Sequence, residues 1–408
     1  MSLKRLFKYQ KQKTRPDLSE VVDSVTLQVD PAFDRWRLDV YITNLMDWNS
    51  RTKVQGMIES GEILKNGRKT VPARKVRTGD QITVMIPPPD PEDLAVLEKG
   101  KLDKVYEDDF IVVINKPPNL LVHPVGGRRY SSVVNLLHKE YRNPHNPAKD
   151  IVPVLAHRID IETSGCLLVV KDQSVRDEFV QLFYNRKIRK KYLAISEGNL
   201  PFDEIFVDLP IGPHTNHEMT IARGINYKEG QDAQTIFKIQ QRLHGFDLVE
   251  CTLLTGRQHQ IRVHLEAIGH PILSDGYYGK RRKLLNSDIA KILSNSDSAS
   301  PKYDVDYDDF FQNLKKKKIE NGAYRVVDEI PPGVEFQHEL VKKNDITETD
   351  YYFNAFKEHE VEEDVLMSRT ALHSWTLEFT HPVTKKQILI EAPMPEDFQN
   401  IISALKKD

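Results

Sequence analysis

Ala156-His157-Arg158-Ile159-Asp160-Ile161-Glu162-Thr163-Ser164-Gly165-Cys166-Leu167-Leu168-Val169-Val170-Lys171 is the stretch that decides how the rest of the chain is read. An apolar run, Ile151 to Ala156, enters it as a buried strand would. A polar elbow follows, carrying His157, Arg158, Asp160 and Thr163. Gly165 then turns the chain into a second apolar run, Cys166 to Val170. Polar side chains held between two buried strands commonly belong to a site on a rigid scaffold. Arg158 and Asp160 are two apart and share a face only where the elbow is extended. Spacing alone leaves two readings standing, a functional elbow and a surface salt bridge at a strand end.

The run His157-Arg158-Ile159-Asp160-Ile161-Glu162-Thr163-Ser164-Gly165 resembles the signature of the RluA/RluD-type RNA pseudouridine synthases, His-Arg-Leu-Asp, two variable residues, Thr-Ser/Thr-Gly. Ile159 for Leu conserves volume. The resemblance implies that Asp160 is the nucleophile, that Arg158 braces the space left by the target base, and that His157 and Thr163 belong to the substrate site. It also implies an isomerisation without redox change or group transfer, so no cofactor and no metal are expected.

Working outward, Ser174 to Tyr184 has the apolar spacing of a helix, and Arg189 to Ile195 resumes a strand. By position Tyr192 is a core aromatic. Lys190-Lys191-Tyr192-Leu193-Ala194 is similar to the family's second motif, whose Tyr packs against the target base, with Lys190 and Lys191 placed to meet phosphate. Phe246 to Leu254 is strand-like, and a helix is expected from about Arg257 to Ile268 with Ile261, Leu265 and Ile268 as its buried stripe. Seen alone, Arg262 and Glu266 are an ordinary i,i+4 surface pair. Thr255-Gly256-Arg257-Gln258-His259-Gln260-Ile261-Arg262-Val263-His264-Leu265, followed by Ile268-Gly269-His270-Pro271-Ile272-Leu273-Ser274-Asp275, resembles the family's third motif. That match implies Arg262 as the cation paired with Asp160, and Arg257, His259 and Gln260 as substrate-site residues. Gln258 and Ser274 depart from the usual Thr and Gly without removing a charge. A metal reading fails here: His259 and His264 lie about 140° apart on a helix of 3.6 residues per turn, where a zinc pair wants i,i+4.

Upstream, Val25 to Pro87 reads as a small domain. Ser50 is a fair N-cap for a helix burying Val54, Met57 and Ile58, and Gly61 ends it. Glu62 to Lys65 and Gln81 to Ile86 read as strands, with turns at Asn66-Gly67 and Thr78-Gly79-Asp80. From Arg35 to Arg77 ten Lys/Arg face four Asp/Glu. The glycines and the Gly79-Asp80 turn resemble an S-four-like RNA-binding domain. On that resemblance Arg51, Lys53, Arg74, Lys75 and Arg77 are RNA-backbone contacts, with Lys65 and Lys69 as weaker candidates.

At 408 residues the chain suits two or three domains, and 39% apolar content suffices for their cores. No apolar run reaches membrane-spanning length, and the basic start, Met1 to Arg15, lacks a secretory core. Cys166 and Cys251 sit in apolar runs as small buried hydrophobes. A cytoplasmic location follows. The net charge of −2 hides an acidic late segment: from Pro301 to Asp364 nine Lys/Arg face seventeen Asp/Glu.

The expected architecture is α+β: a pseudouridine-synthase catalytic domain on a mixed, mainly antiparallel sheet flanked by helices, preceded by a small α+β RNA-binding domain. Its parts are a basic disordered arm (1–20), the S-four-like domain (21–88), a Pro-rich linker (89–104), the catalytic domain (105–280 and 365–408) and an acidic, partly disordered insertion (281–364), helical around Tyr307 to Ile319. The expected partner is RNA, ribosomal rather than transfer RNA, and the expected state a monomer. A synthase acting on transfer RNA stays open, as do two readings outside the family: a ribosome-assembly protein with a retired catalytic domain, and a hydrolase using Asp160 with Glu162. The first leaves Asp160, Tyr192 and Arg262 without a purpose. The second explains neither Arg262 nor the basic module.

Overall fold

A computed structural model of the chain describes residues 19–46, 50–86, 88–125, 128–143, 145–146, 149–214, 222–294, 325–327 and 364–407. It divides into two compact units. One takes the chain up to residue 101 together with 121–152, the other 102–120 together with 153 onward.

In the first unit, β1 (Ser24–Gln28), β2 (Ile63–Lys65) and β3 (Gln81–Met85) form an antiparallel sheet in the order β1-β3-β2. Helices α1 (Leu38–Leu45) and α2 (Arg51–Ser60) bring Leu38, Ile42, Val54 and Ile58 into one core with Ile63, Ile82 and Val84. The Ser50 hydroxyl accepts from the Lys53 N–H, and Gly61 ends α2 at φ +90°, as their positions in the sequence require. Asn66 and Gly67 both take positive φ, the signature of a tight hairpin turn. Asp39, buried in the first turn of α1, accepts from Arg37 Nε and Nη2 (both 3.0 Å), Arg51 Nη2 (2.9 Å) and Gln55 Nε2 (2.8 Å). The Arg37 hydrogen bond, with those of Gln55 and Arg51, holds the Asp39 carboxyl well below the usual range despite burial.

The span 89–104, expected to be a Pro-rich linker, carries a helix. Asp90 accepts from the Glu92 N–H at 2.9 Å and Pro91 stands at the first helical position, opening α3 (Pro91–Lys99). The fixed φ of proline suits that position, so Asp-Pro here is a helix start rather than a spacer. Buried Asp93 accepts from the Arg129 N–H (2.9 Å) and the Ser131 hydroxyl, tying α3 to the loop that leads into α4 (Val133–Tyr141).

Among the described residues the second unit is built on an eleven-stranded sheet. Its strands are β4 (Asp103–Glu107), β5 (Ile111–Lys116), β6 (Val154–Leu155), β7 (Ser164–Val170), β8 (Arg189–Glu197), β9 (Glu204–Asp208), β12 (Gln234–Leu243), β13 (Phe246–Leu253), β15 (Arg325–Val327), β17 (Leu372–Thr380) and β18 (Gln387–Glu391). The order along the main path is β15-β9-β12-β13-β8-β17-β7-β5-β4; β18 pairs with β17 and β6 with β7. Every pairing is antiparallel except β7 with β17, so the sheet is mixed and mainly antiparallel. The unbroken apolar run of β7 is buried on both faces, as a central strand demands. Gly165 opens β7 at φ +100°, and a Cβ there would lie 2.2 Å from the Ser374 carbonyl of β17. No other residue fits that approach.

Helices α5 (Arg176–Tyr184), α6 (Gln260–Ala267), α7 (Asn286–Ser294) and α8 (Glu396–Leu405) complete this unit with two small ladders, β10 (Ile211–Pro213) with β11 (Arg223–Ile225), and β14 (Leu284–Leu285) with β16 (Val365–Met367). The chain reaches α6 later than expected, at Gln260 rather than Arg257, because His259 takes φ +58° at its N-cap. The first residues of the span 281–364 are ordered into β14 and α7. The helix expected around Tyr307 to Ile319 and the arm up to residue 18 lie outside the described residues. Among the described residues no helix is long and apolar enough to cross a membrane.

Candidate active site

The elbow between β6 and β7 is held from outside by Lys116, Thr370 and Arg369. Lys116, wholly buried, donates from Nζ to the carbonyls of Pro117 (2.7 Å), Leu120 (3.0 Å) and Ile161 (2.8 Å). Burial and the nearby Arg369 charge lower its pKa far below that of a free lysine, although Asp160 and Glu162 oppose them. Glu162 accepts from the Thr370 hydroxyl and, at 3.2 Å, from the Thr370 N–H. Its carboxyl is pushed up by burial. Arg369 donates to the Glu162 carbonyl at 3.3 Å while its fork holds Asp397 at 2.7 and 2.9 Å. Within the elbow, the Thr163 N–H donates to the Asp160 carbonyl at 3.1 Å.

This leaves the Asp160 side chain 19% exposed in a cleft of about 550 Å³. Arg262, 1% exposed, donates from Nη1 to Asp160 Oδ2 at 3.3 Å. Its other face forks onto Asp275, Nε to Oδ2 at 2.7 Å and Nη2 to Oδ1 at 2.8 Å. Tyr277 and Tyr278 flank the guanidinium, each ring centroid 5.1 Å from Cζ. Burial pushes the Asp275 carboxyl up, but Arg262 and the N–H groups of Tyr277 and Tyr278 more than offset it, and the net shift is down. Arg262 is therefore not a surface residue, as an i,i+4 pair with Glu266 would have it; it points inward. Asp275 is the partner that sequence reasoning missed. It stood inside the quoted third motif, but nothing local marked it as the anchor of an arginine thirteen residues earlier.

The cleft gathers most of the expected site residues. Tyr192 lines it from β8, buried, with its phenol pushed up chiefly by burial. Lys190, two residues away on the same face, lines it too. Lys191 faces the other way and pairs with Glu250 at 2.7 Å. Its expected place in the substrate site is corrected by the period of the strand: adjacent lysines cannot both face the cleft. Arg158, exposed, and Thr163, buried, line it from the elbow. Arg257, His259 and Gln260 line it from the turn before α6. Gln260 is committed to that turn: its Oε1 accepts from the Arg257 N–H (2.9 Å) and the Thr255 hydroxyl (2.7 Å), and its Nε2 donates to the Gln234 carbonyl (2.9 Å). His259 Nδ1 shares a hydrogen bond with the Tyr278 hydroxyl at 2.8 Å.

His157 lines the cleft, but its Nε2 accepts from the Leu168 N–H at 2.9 Å and its ring stacks on Phe183 at 4.2 Å. Burial, then the charge of Lys190, lowers its pKa to about 3. The native ring is therefore neutral, whereas the unfolded ring takes a proton below its ordinary 6.5. Its contribution to stability is complete above pH 6.5 and is lost as pH falls from 6.5 towards 3. Between pH 7 and pH 5 this amounts to roughly 1–2 kcal/mol. We expect His157→Gln to show a smaller loss than wild type over that interval in chemical denaturation. An identical pH slope in the two proteins would mean that the ring is not held neutral.

The basic residues of the first unit, Lys53, Arg74, Lys75 and Arg77, are exposed. Arg51 is exposed as well, and pinned by Asp39. Lys65 is spent on Asp80 and on the Lys75 carbonyl.

Comparison with known proteins places the chain in a family. A family model described as RNA pseudouridylate synthase matches residues 110–267, which include Asp160, Tyr192 and Arg262. The chain is 37% identical over 252 residues to the uncharacterized RNA pseudouridine synthase YlyB of Bacillus subtilis (strain 168), covering 61% of this chain and 80% of that one. It is 30% identical over 393 residues to ribosomal large subunit pseudouridine synthase D of Xanthomonas campestris, covering 96% of each. A protein of the same name from Neisseria meningitidis serogroup B is 28% identical over 391 residues, covering 95% of this chain and 83% of that one. A relative that close over most of its length, matched across the elbow and the helix that faces it, makes the chain a member of the RNA pseudouridine synthase family and an isomerase acting on RNA.

Proposed function

We propose that the chain converts a uridine of large-subunit ribosomal RNA to pseudouridine, with Asp160 as the nucleophilic carboxylate. The observation that carries this reading is the half-open carboxylate at the cleft, held at 3.3 Å by an arginine whose other face is locked to a buried aspartate. The reaction breaks N1–C1′, turns the base and joins C5 to C1′, so atoms and electrons balance within the substrate. An ionised, oriented carboxylate is the group this chemistry asks of the protein. The target uridine leaves its stack at a cost of a few kcal/mol. Tyr192 is the face on which its base packs, and Arg158 braces the space it vacates. The ribosomal assignment rests on relatives whose names carry it. Mapping pseudouridines in ribosomal and transfer RNA of a deletion strain tests it: one missing modification in large-subunit RNA is expected, and a missing one in transfer RNA alone would overturn it.

The first unit is proposed as an S-four-like RNA-binding domain that contacts phosphates without reading sequence. Removing residues 1–88 is a poor test, because Asp93 and the loop before α4 belong to the same compact unit. Lys53→Ala, Arg74→Ala and Lys75→Ala combined change only exposed side chains. We expect the triple variant to fold normally and to bind RNA more weakly. Its slope of log affinity against log salt should be flatter by about 0.9 for each phosphate that the protein no longer neutralises. An unchanged slope would remove these residues from the interface.

A further inference from the structure

One wall of the cleft carries three cations from three separate elements: Arg186 from the turn after α5, Lys190 from β8 and Arg257 from the turn before α6. Among the described residues neither Arg186 nor Lys190 forms an ion pair with a carboxylate. Arg257 Nε donates to the Asp232 carbonyl at 2.9 Å. The Lys190 amine lies against Gly256, where a Cβ would stand 3.0 Å from Nζ. A side chain at 256 would crowd the space the amine occupies. Burial, with the charges of Arg186 and Arg257, lowers the Lys190 pKa to about 8; burial and Arg186 also lower that of Arg257. The fold thus tolerates mutual repulsion at this wall.

Arg186 adds an independent sign. It follows the Asn185 cap of α5 with φ +54°, its N–H donating to the Phe183 carbonyl and the Lys187 N–H to the Leu182 carbonyl. This is the left-handed helix end that glycine normally takes. An arginine there is strained, and the strained residue faces the cleft.

We propose that Arg186, Lys190 and Arg257 form a seat for one phosphodiester of the RNA strand next to the target uridine. The seat rests on the reading of the cleft as the uridine site. A strand that places a nucleotide over Asp160 brings a phosphate on each side of it into the same cleft, and one such anion relieves the repulsion of all three cations. Arginine supplies a planar fork for phosphate oxygens, and the lysine supplies a point charge.

The test uses the full-length protein and an unmodified large-subunit ribosomal RNA transcript. Arg186→Gly is expected to raise or preserve thermal stability, because glycine relieves the backbone strain. Affinity should fall about tenfold, and the salt slope should flatten by about 0.7 for one single-strand phosphate. Lys190→Gln, which leaves the helix end untouched, should move affinity and slope in the same direction. Wild-type affinity and slope in both variants would overturn the seat. Asp160→Asn, assayed beside them, separates the two ideas. If it loses turnover while Arg186→Gly binds normally, only the seat fails. If it keeps turnover while Arg186→Gly binds weakly, the seat stands and the role given to Asp160 fails.

Discussion

Asp160→Asn is expected to lower the single-turnover rate of pseudouridine formation by at least about 10⁴-fold, on the scale seen when a nucleophile is removed from other enzymes. RNA affinity should change by no more than about twofold, because phosphate contacts supply most of it. The fold should survive, and the structure gives the reason. Asp160 is partly exposed, so an amide there is not sealed in an apolar interior. Arg262 gives up a charged partner at 3.3 Å but keeps both hydrogen bonds to Asp275, so no buried guanidinium is orphaned. Pseudouridine well above background from a folded Asn variant would exclude Asp160 as the nucleophile.

Substitution of Arg262 should be as damaging but for two reasons at once. Arg262→Ala leaves Asp275 as a buried carboxylate without its cation, which costs about 3–5 kcal/mol when one partner of such a pair is removed. Arg262→Lys keeps the charge but cannot match the fork onto Asp275, so it should be less stable than wild type and turn over more slowly. The near-complete burial of Arg262 is what makes even a lysine costly to the fold. Both rate and melting temperature should fall in the order wild type, Lys, Ala. To separate the two roles, Arg262→Leu is combined with Asp275→Leu. Removing both charges should restore much of the stability lost in the single variants and none of the turnover. A wild-type rate in the Ala variant or in the double variant would take Arg262 out of the active site.

The parts of this molecule that were legible in its sequence are those governed by local rules. Ser50 and Gly61 bracket α2 because a cap needs a side-chain oxygen at one end and a left-handed residue at the other. The unbroken run of β7 could only be an inner strand. The partners of the site were legible only where resemblance linked distant residues, as with Asp160 and Arg262. Where the pairing depended on register, reading failed. Lys191 differs from Lys190 by one residue and therefore by one face of the sheet, which no composition argument separates. Asp275 and Arg186 were missed because their importance lies in what they meet, a guanidinium thirteen residues away and the wall of a cleft. The proline tract misled for a simpler reason: Pro91 was weighed with its neighbours as a spacer, when Asp90 in front of it made it a helix start.

The clamp on the elbow has a consequence for how the enzyme is made. Thr370, which grips Glu162 by both its hydroxyl and its N–H, follows it by 208 residues. Gly165 can take its close seat against Ser374 only when β17 has arrived. A ribosome adding about 5–20 residues per second needs roughly 10–40 s to make that intervening chain. During this interval the strands before residue 280 can pair, but the carboxylate-bearing loop lacks its far anchor. The loop that carries Asp160 is thus held at both ends only after β17 has been made, and a nascent chain that has not reached Thr370 does not yet hold that carboxylate in place.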